Sequence, residues 1–364
     1  VGDQLPYACR LSSLRQSLSE QDLVVITPGA DLAYLTGHRS TPTERPVFLL
    51  VFRSGKPALV MALFEARALP DLRDVLDVIA YGEHDDVYSL TADAIRTRGE
   101  SHHVAISDQA WARPLLGLQE AMPEARFVHA SPVISPLRMR KDAAEVELLA
   151  EAARRTDRAL EVFIRQPVKG ASEHDLSGHL RRLLEDEGLE QPGAIIASGP
   201  NGASPHHRPG DRRVKSGDAL VVDCGGRLEG YFSDITRTFS VGPAGRELTQ
   251  AYELVRRAQA AGLHAVRPGT KAGDVDRAAR DVIEDGGMGP LFIHRTGHGL
   301  GLDGHEEPYV IGGNQLLLEP GMVVTVEPGV YQSGSFGVRI EDTVVVTEDG
   351  VRVLNAFPKE LILL

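Results

Sequence analysis

The sequence predicts an α+β chain of two domains, a smaller α/β domain followed by a larger one that combines long helices with acid-bearing β-hairpins. Three observations predict it. Strand-like and helix-like segments alternate from residue 10 to about 130, as in a small α/β unit. The stretch Ser131-Pro-Val-Ile-Ser-Pro136 then punctuates the chain, which places the boundary between 133 and 134. Beyond it, helical patterns flank two strand pairs that carry carboxylates in otherwise apolar runs. At 364 residues the chain is long enough for two separate cores.

In order, Leu11, Leu14 and Leu18 mark one face of a helix over 10–20. Leu23–Ile26 is a short buried strand, and Ala30–Leu35 is a helical turn closed by Gly37. Val47–Phe52 and Ala58–Ala62 form a hairpin across Arg53-Ser-Gly-Lys-Pro57. Strands follow at 75–81, 103–107 and 126–129, with a helix at 87–98. In the second domain, Asp142 and Glu145 have the spacing of a capping box, opening a helix to about Arg165. Further helices are expected at 173–187, 247–266 and 273–286, and a last strand at 351–357. The basic stretch Arg138-Met-Arg-Lys141 reads as a solvated helix start.

Bulk properties exclude several functions. The net charge of −12, with no Lys/Arg-rich block, argues against nucleic acid as a partner. No apolar run approaches the roughly 20 residues that span a bilayer, so no membrane role is expected. No charged segment followed by an apolar run opens the chain, and the cytoplasm is the expected compartment. Cys9 and Cys224 lie far apart and in no CxxC pattern, which predicts neither a disulfide framework nor a thiolate metal site.

The chemistry concentrates between Val221 and Glu341. Gly217-Asp-Ala-Leu-Val-Val-Asp223-Cys-Gly225 aligns without a gap to Gly321-Met-Val-Val-Thr-Val-Glu327-Pro-Gly329. Each copy returns as a second strand with another acid, Asp234-Ile-Thr236 in one and Glu341-Asp-Thr343 in the other. One acid in a strand is ordinarily a solvated face or a turn residue. Four in a repeated apolar setting are costly to bury unless paired or bound to cations. With His298 they make an oxygen-rich donor set with one imidazole, which favours Mn²⁺ and is compatible with Co²⁺, Zn²⁺ or Fe²⁺. Cys224, next to Asp223 on a strand, points to the other face. His206, His294, His298 and His305 lie in Gly/Pro-rich loops near these strands, where sites form. Gly-His-Gly-Leu-Gly is no dinucleotide loop, because its glycine spacing is wrong and no helix follows.

These residues resemble a known family. Asp223-Cys-Gly-Gly, Tyr231-Phe-Ser-Asp234-Ile-Thr-Arg-Thr238, Thr296-Gly-His298-Gly-Leu-Gly-Leu-Asp-Gly-His305-Glu-Glu-Pro308, Thr325-Val-Glu327-Pro-Gly and Gly337-Val-Arg-Ile-Glu341-Asp342 are similar to the pita-bread metallopeptidases. That family includes prolidases, aminopeptidases P and methionine aminopeptidases. Residues 1 to about 130 resemble the creatinase-like N-terminal domain of prolidases, aminopeptidases P and creatinases, which methionine aminopeptidases typically lack.

The resemblance implies a pita-bread (creatinase/aminopeptidase-like) catalytic domain over 134–364 behind a creatinase-like α/β domain over 1–133. It implies two divalent metal ions, bridged by Asp234 and Glu341, with Asp223 completing one shell and His298 and Glu327 the other. It makes His206 a proton shuttle or a group that stabilises the tetrahedral intermediate, Glu327 a base, His305 a contact to the scissile carbonyl and His294 part of a proline pocket. Arg339 would orient Glu341 and meet the substrate carboxylate, with Tyr231 as a further substrate-side residue. The implied reaction is hydrolysis of the bond before proline in short peptides by a metal-bridging hydroxide, in a homodimer. The compact first domain and the overall length favour dipeptides over the longer substrates of aminopeptidase P. A metal-free creatinase-like hydrolase or a non-catalytic binding module would have lost ligands, and none is lost here.

Overall fold

The structure is a computed structural model that describes residues 6–20, 22–67, 69, 72, 74–99 and 102–364. It divides into two compact units, residues up to Arg138 and from Met139 onward. The boundary expected after residue 133 falls inside a helix, Ser131–Met139, and the units part near its end. Pro132 does not prevent this helix, because a first-turn N–H has no intrahelical partner to lose.

The first unit is built on a six-stranded mixed sheet in the order β4-β3-β2-β1-β5-β6. Its strands are β1 (Leu23–Ile26), β2 (Phe48–Phe52), β3 (Ala58–Ala62), β4 (Asp77–Tyr81), β5 (His103–Ile106) and β6 (Arg126–His129). β1 runs antiparallel to β2 and parallel to β5, and all four of its residues are buried. The helices are α1 (Pro6–Ser17), α2 (Ala30–Thr36), α3 (Leu63–Ala66), α4 (Val87–Arg96), α5 (Ala112–Ala121) and α6 (Ser131–Met139). Gly37 closes α2 in the left-handed region, at φ 71°.

The second unit opens with α7 (Ala143–Phe163), whose capping box joins Asp142 and Glu145. α8 (Glu173–Asp186), α9 (Arg246–Ala265) and α10 (Ala272–Asp285) follow the expected positions. The strands are β7 (Glu190–Ser198), β8 (Ala219–Leu228), β9 (Tyr231–Phe232), β10 (Ile235–Ser240), β11 (Gly297–Gly299), β12 (Glu306–Val310), β13 (Val323–Val326), β14 (Gly329–Gln332), β15 (Phe336–Arg339), β16 (Asp342–Val346) and β17 (Val351–Val353). One sheet runs β10-β8-β7 with β9 on β8, another runs β12-β11-β13-β16-β17, and β14 and β15 form a separate hairpin. Among the described residues, no helix is long and apolar enough to cross a membrane.

Lys141 is not solvated. It is buried, and its ammonium donates to Glu306 Oε1 at 2.6 Å, tying the start of α7 to the start of β12. A charge this deep persists only with a partner, and no local pattern in Arg138-Met-Arg-Lys141 announces one 165 residues away.

Strand parity decides where the acids go. Leu220, Val222 and Cys224 of β8, with Ile235 and Phe239 of β10, pack on α7 and α8 residues Leu160, Phe163 and Leu180. Val324 and Val326 of β13, with Val344 and Val346 of β16, pack with Val275 of α10. Side chains alternate faces along a strand, so Asp223 and Asp234 are out of phase with the residues packed on α7 and α8, and Glu327 and Glu341 with those packed on α10. The two halves join through a main-chain bond, Glu341 N–H to Thr236 O (3.0 Å), and a side-chain one, the Thr343 hydroxyl donating to Asp234 O (3.0 Å).

Arg237 locks that junction from behind. It is 1% exposed, and its guanidinium donates to the carbonyls of Thr236, Glu341, Phe357 and Pro358 and to Asp342 Oδ1. Asp342 Oδ2 also takes Gln259 Nε2 and Lys359 Nζ. Replacing Arg237 by Leu strands these carbonyls and part of the Asp342 charge. The expected cost is about 3–5 kcal/mol, measured as a lowered urea midpoint with an unchanged denaturant slope.

Candidate metal centre

Each expected ligand is held by a different local device. Asp223 lies within β8 opposite Thr236, and Asp234 immediately precedes β10. Glu327 follows β13, and Glu341 immediately precedes β16. His298 is the middle residue of β11, flanked by two glycines that the packing requires. A Cβ on Gly297 would lie 1.9 Å from Thr325 O, and one on Gly299 would lie 2.3 Å from Glu307 O. Gly-His-Gly therefore lets β11 slip between neighbouring backbones while presenting one imidazole.

The fold brings these side chains to one pocket of about 480 Å³, open mouth included, lined by Asp223, Asp234, His298, Glu327, Glu341 and Arg339. Ligand atoms of Asp234, His298 and Glu341 all lie within 4.8 Å of one another. His298 Nε2 is 3.3 Å from Glu327 Oε1 and 4.0 Å from Asp234 Oδ2. Asp223 faces the same space, with Oδ2 taking Arg339 Nη2 at 2.5 Å. Glu341 Oε2 accepts from Thr236 Oγ1 at 2.6 Å.

The electrostatics fit a cation-binding role. Burial, then the charges of Asp223 and Glu327, pushes the Asp234 carboxyl well above its usual range. Burial, then Asp234 and Glu327, does the same to Glu341. Burial pushes Glu327 up to about 7, with Arg339 opposing. His298 is pushed down to about 3, by burial and then by His305, so its ring is neutral at physiological pH. Its Nδ1 lies 3.0 Å from Gly299 O, so this nitrogen holds the proton and Nε2 turns a lone pair toward the carboxylates. Crowded acids and one oriented neutral imidazole suit hard divalent cations. Asp223, Asp234, His298, Glu327 and Glu341 are the residues that could hold them.

The histidines line the same pocket. His206, His294 and His305 all border it. The His305 ring centre lies 3.9 Å from that of His298, with the two planes tilted by 42°. His294 Nδ1 lies 2.6 Å from Arg295 O and Nε2 2.8 Å from Tyr331 OH. Tyr331 OH in turn accepts from Arg339 Nη1 at 3.0 Å. The donors settle the proton order: arginine to tyrosine, tyrosine to His294 Nε2, His294 Nδ1 to carbonyl. Burial pushes His294 down to about 4, consistent with a neutral ring.

Two of the expected residues, Tyr231 and Arg339, are occupied by partners within the protein. Tyr231 is absent from the pocket lining; its hydroxyl donates to Glu145 Oε1 at 2.7 Å and its ring packs with Leu149, Leu300 and Val323. Pairing with β8 turns it toward α7. Arg339 is 3% exposed and commits Nε to Thr236, Nη1 to Tyr331 and Nη2 to Asp223. It holds the acids and the pocket wall together and offers no fork to a substrate carboxylate. Sequence reasoning missed Arg295, which lines the pocket with its guanidinium 4.3 Å over the Tyr309 ring. Its position between His294 and His298 was the available signal.

The raised acids predict an unusual pH response in metal-free protein. Folded Glu327 holds a proton that the unfolded chain releases between its ordinary 4.5 and about 7, so this group costs stability as pH rises through that window. The denaturation midpoint of chelated wild type should therefore fall, relative to Glu327→Gln, between those pH values. Saturating divalent cation should abolish the trend and raise stability by about 2.7 kcal/mol at one hundred times Kd. Parallel pH curves for the two chelated proteins would contradict it.

Comparison with known proteins identifies the family. The model of metallopeptidase family M24 matches residues 147–348, and that of the creatinase/prolidase N-terminal domain matches residues 10–140. A probable dipeptidase PepE from Mycobacterium tuberculosis is 40% identical, covering 98% of this chain and 96% of its own. The crystal structure of dipeptidase PepE from Mycobacterium ulcerans superposes with a TM-score of 0.92 at 40% identity, covering 100% of this chain and 99% of that one. A prolidase from Thermococcus sibiricus gives a TM-score of 0.92 at 34% identity, covering 100% of both chains. The chain is thus a peptidase that belongs to metallopeptidase family M24, with a pita-bread catalytic domain behind a creatinase/prolidase N-terminal domain.

Proposed function

We propose that this peptidase hydrolyses the bond before proline in Xaa-Pro dipeptides, using two divalent cations held by Asp223, Asp234, His298, Glu327 and Glu341. Mn²⁺ suits the oxygen-rich set best, with Co²⁺, Zn²⁺ or Fe²⁺ compatible. The observation that carries the reading is the convergence of buried, mutually repelling carboxylates and one neutral imidazole on a pocket that histidines line. The relatives named dipeptidase and prolidase support the substrate class. When bound, such cations polarise a peptide carbonyl and acidify water.

The chain's own residues supply the rest. Glu327, with its carboxyl near 7, can accept the proton of an attacking water at neutral pH. His206 and His305 face the pocket, where they can donate to the developing oxyanion and carry a proton to the leaving nitrogen. His294 spends both nitrogens on Arg295 O and Tyr331, so it serves as a wall, with Phe292 edge-on behind it at 5.2 Å. A bond before proline has no N–H to recognise, and a wall that selects a ring by shape matches that need.

Arg295 favours dipeptides over longer substrates. Among the described residues no carboxylate forms an ion pair with it, and its one polar side-chain partner is His305 Nδ1 at 3.4 Å. A guanidinium on the pocket wall matches the C-terminal carboxylate that a dipeptide places next to its scissile bond. The same proposal takes in a cytosolic homodimer, which analytical ultracentrifugation would check.

The primary test compares an Xaa-Pro dipeptide with an Xaa-Pro-Yaa-Zaa peptide in the presence of Mn²⁺. Faster turnover of the dipeptide is expected, and the reverse would make the chain an aminopeptidase P. Asp234→Ala should lose both bound metal and activity, and full activity without metal would end the metallopeptidase mechanism. Arg295→Met should raise KM for the dipeptide by about 10- to 100-fold, the worth of about 1.5–3 kcal/mol for a charge-assisted hydrogen bond. The C-terminal amide of that dipeptide should be unaffected, and equal losses on both would remove Arg295 from carboxylate recognition.

A further inference from the structure

His206 stands on a segment with little structure of its own. Ser198 to Gly210 contains Gly199, Pro200, Gly202, Pro205, Pro209 and Gly210, and its regular content is one 3₁₀ turn, Gly199–Ala203. Ordering such a segment costs conformational entropy, so a side chain on it is held only as well as its anchors hold it. One carboxylate outside the pocket supplies most of them.

That carboxylate is Glu173, the first residue of α8, which is 0% exposed. Its Oε1 accepts from Ser198 N (2.8 Å) and Ser198 Oγ (2.7 Å), and Asn201 Nδ2 donates to both oxygens at 3.0 Å. Oε2 takes His207 Nε2 at 2.7 Å and Gly210 N at 3.4 Å. The donors come from the beginning, middle and end of the segment. Burial pushes the carboxyl up, but the bonds from Ser198, His207 and Asn201 outweigh it and hold it below the usual range, so it stays ionised. Ionised acceptors make the stronger hydrogen bonds. On the far side, Arg339 Nη1 donates to Pro205 O at 3.4 Å, and a Cβ on Gly337 would lie 1.8 Å from Gly202 O.

We infer that Glu173 is a positioning residue for His206: by drawing Ser198, Asn201, His207 and Gly210 onto one buried carboxylate, it fixes the direction in which His206, the residue before His207, enters the pocket. The inference rests on the assignment of His206 to the reaction. Glu173 lines no part of the pocket and touches none of the five candidate ligands. Its influence on catalysis runs through the segment alone. The paired histidines then have separate duties, His207 turned inward as an anchor and His206 turned into the pocket.

A double-mutant cycle on the metal-loaded protein tests this, using the Xaa-Pro dipeptide or whichever dipeptide is turned over. Glu173→Gln replaces one acceptor oxygen with a donor that faces other donors. It should lower kcat by about 10- to 100-fold, a part of the roughly 10²–10⁴-fold worth of a positioned proton-transfer group. Calorimetric Mn²⁺ affinity should match wild type. In the His206→Ala background the same substitution should change kcat by less than about twofold, since groups that act through one another are not additive. Should Glu173→Gln not fold, Asn201→Ala runs the same cycle with a single donor removed.

Equal fold-losses in both backgrounds, or weakened Mn²⁺ binding, would show that Glu173 acts on the protein at large and overturn the inference. An unchanged kcat in Glu173→Gln beside a depressed one in His206→Ala would overturn it while leaving the assignment of His206 intact. An unchanged kcat in His206→Ala would remove that assignment, and this inference with it.

Discussion

Like charges crowded out of water are the constraint on which the second unit is built. Asp234, Glu327 and Glu341 face one another across a narrow space, and burial combined with mutual repulsion drives each carboxyl upward. An uncompensated buried charge costs several kcal/mol, so the cluster survives only because the surrounding fold is committed to holding it. Arg339 is placed among the acids and bonded to Asp223. Arg237 sits behind them and staples the backbone of Glu341 to that of Thr236. Strand parity sets the acids out of phase with the apolar residues that pack on α7, α8 and α10.

From that junction, order spreads outward through donors whose direction is unambiguous. A guanidinium can only donate, so Arg339 orients Tyr331, Tyr331 orients His294, and the His294 ring becomes part of the wall. Arg339 also reaches Pro205 O, beside His206. The same side chain thus touches an acid of the cluster, the pocket wall and the segment that bears a histidine. Glu173 provides the opposing anchor for that segment. Lys141 does for the start of β12 what Glu173 does for Ser198 to Gly210, since its partner Glu306 adjoins His305. Buried charges here tie together segments that border the pocket.

Much of this was legible from local pattern. The helix over Ala143–Phe163 announced itself by the Asp142/Glu145 capping box, and the hairpins by apolar runs and turn residues. The acids at 223, 234, 327 and 341 stood out because a repeated apolar strand is a poor place for a carboxylate. Where local pattern misled, a proline in a helix's first turn or a distant partner was responsible. Ser131–Met139 looked like punctuation and is a helix. Lys141 looked solvated and is buried on Glu306. Tyr231, flanking Asp234 in the motif, faces Glu145, and Arg339 turned out to have its nitrogens engaged within the protein.

The sequence by itself determined which residues could serve as ligands and on which face of each strand they must lie. Composition and two-residue alternation are properties of the chain at short range, and they survive whatever the strands later pack against. Only the tertiary structure decided which charges would be spent on the protein and which would remain for a ligand. Arg339 and Arg295 are both near the acids, and no spacing distinguishes them; one is enclosed by Thr236, Tyr331 and Asp223, the other stacks on Tyr309 at the pocket wall. Glu173 and the segment it gathers are 25 to 37 positions apart, and their meeting depends on how α8 packs beside β7. Such pairings depend on approach in space and on loss of solvent, neither of which a residue's neighbours in sequence can set.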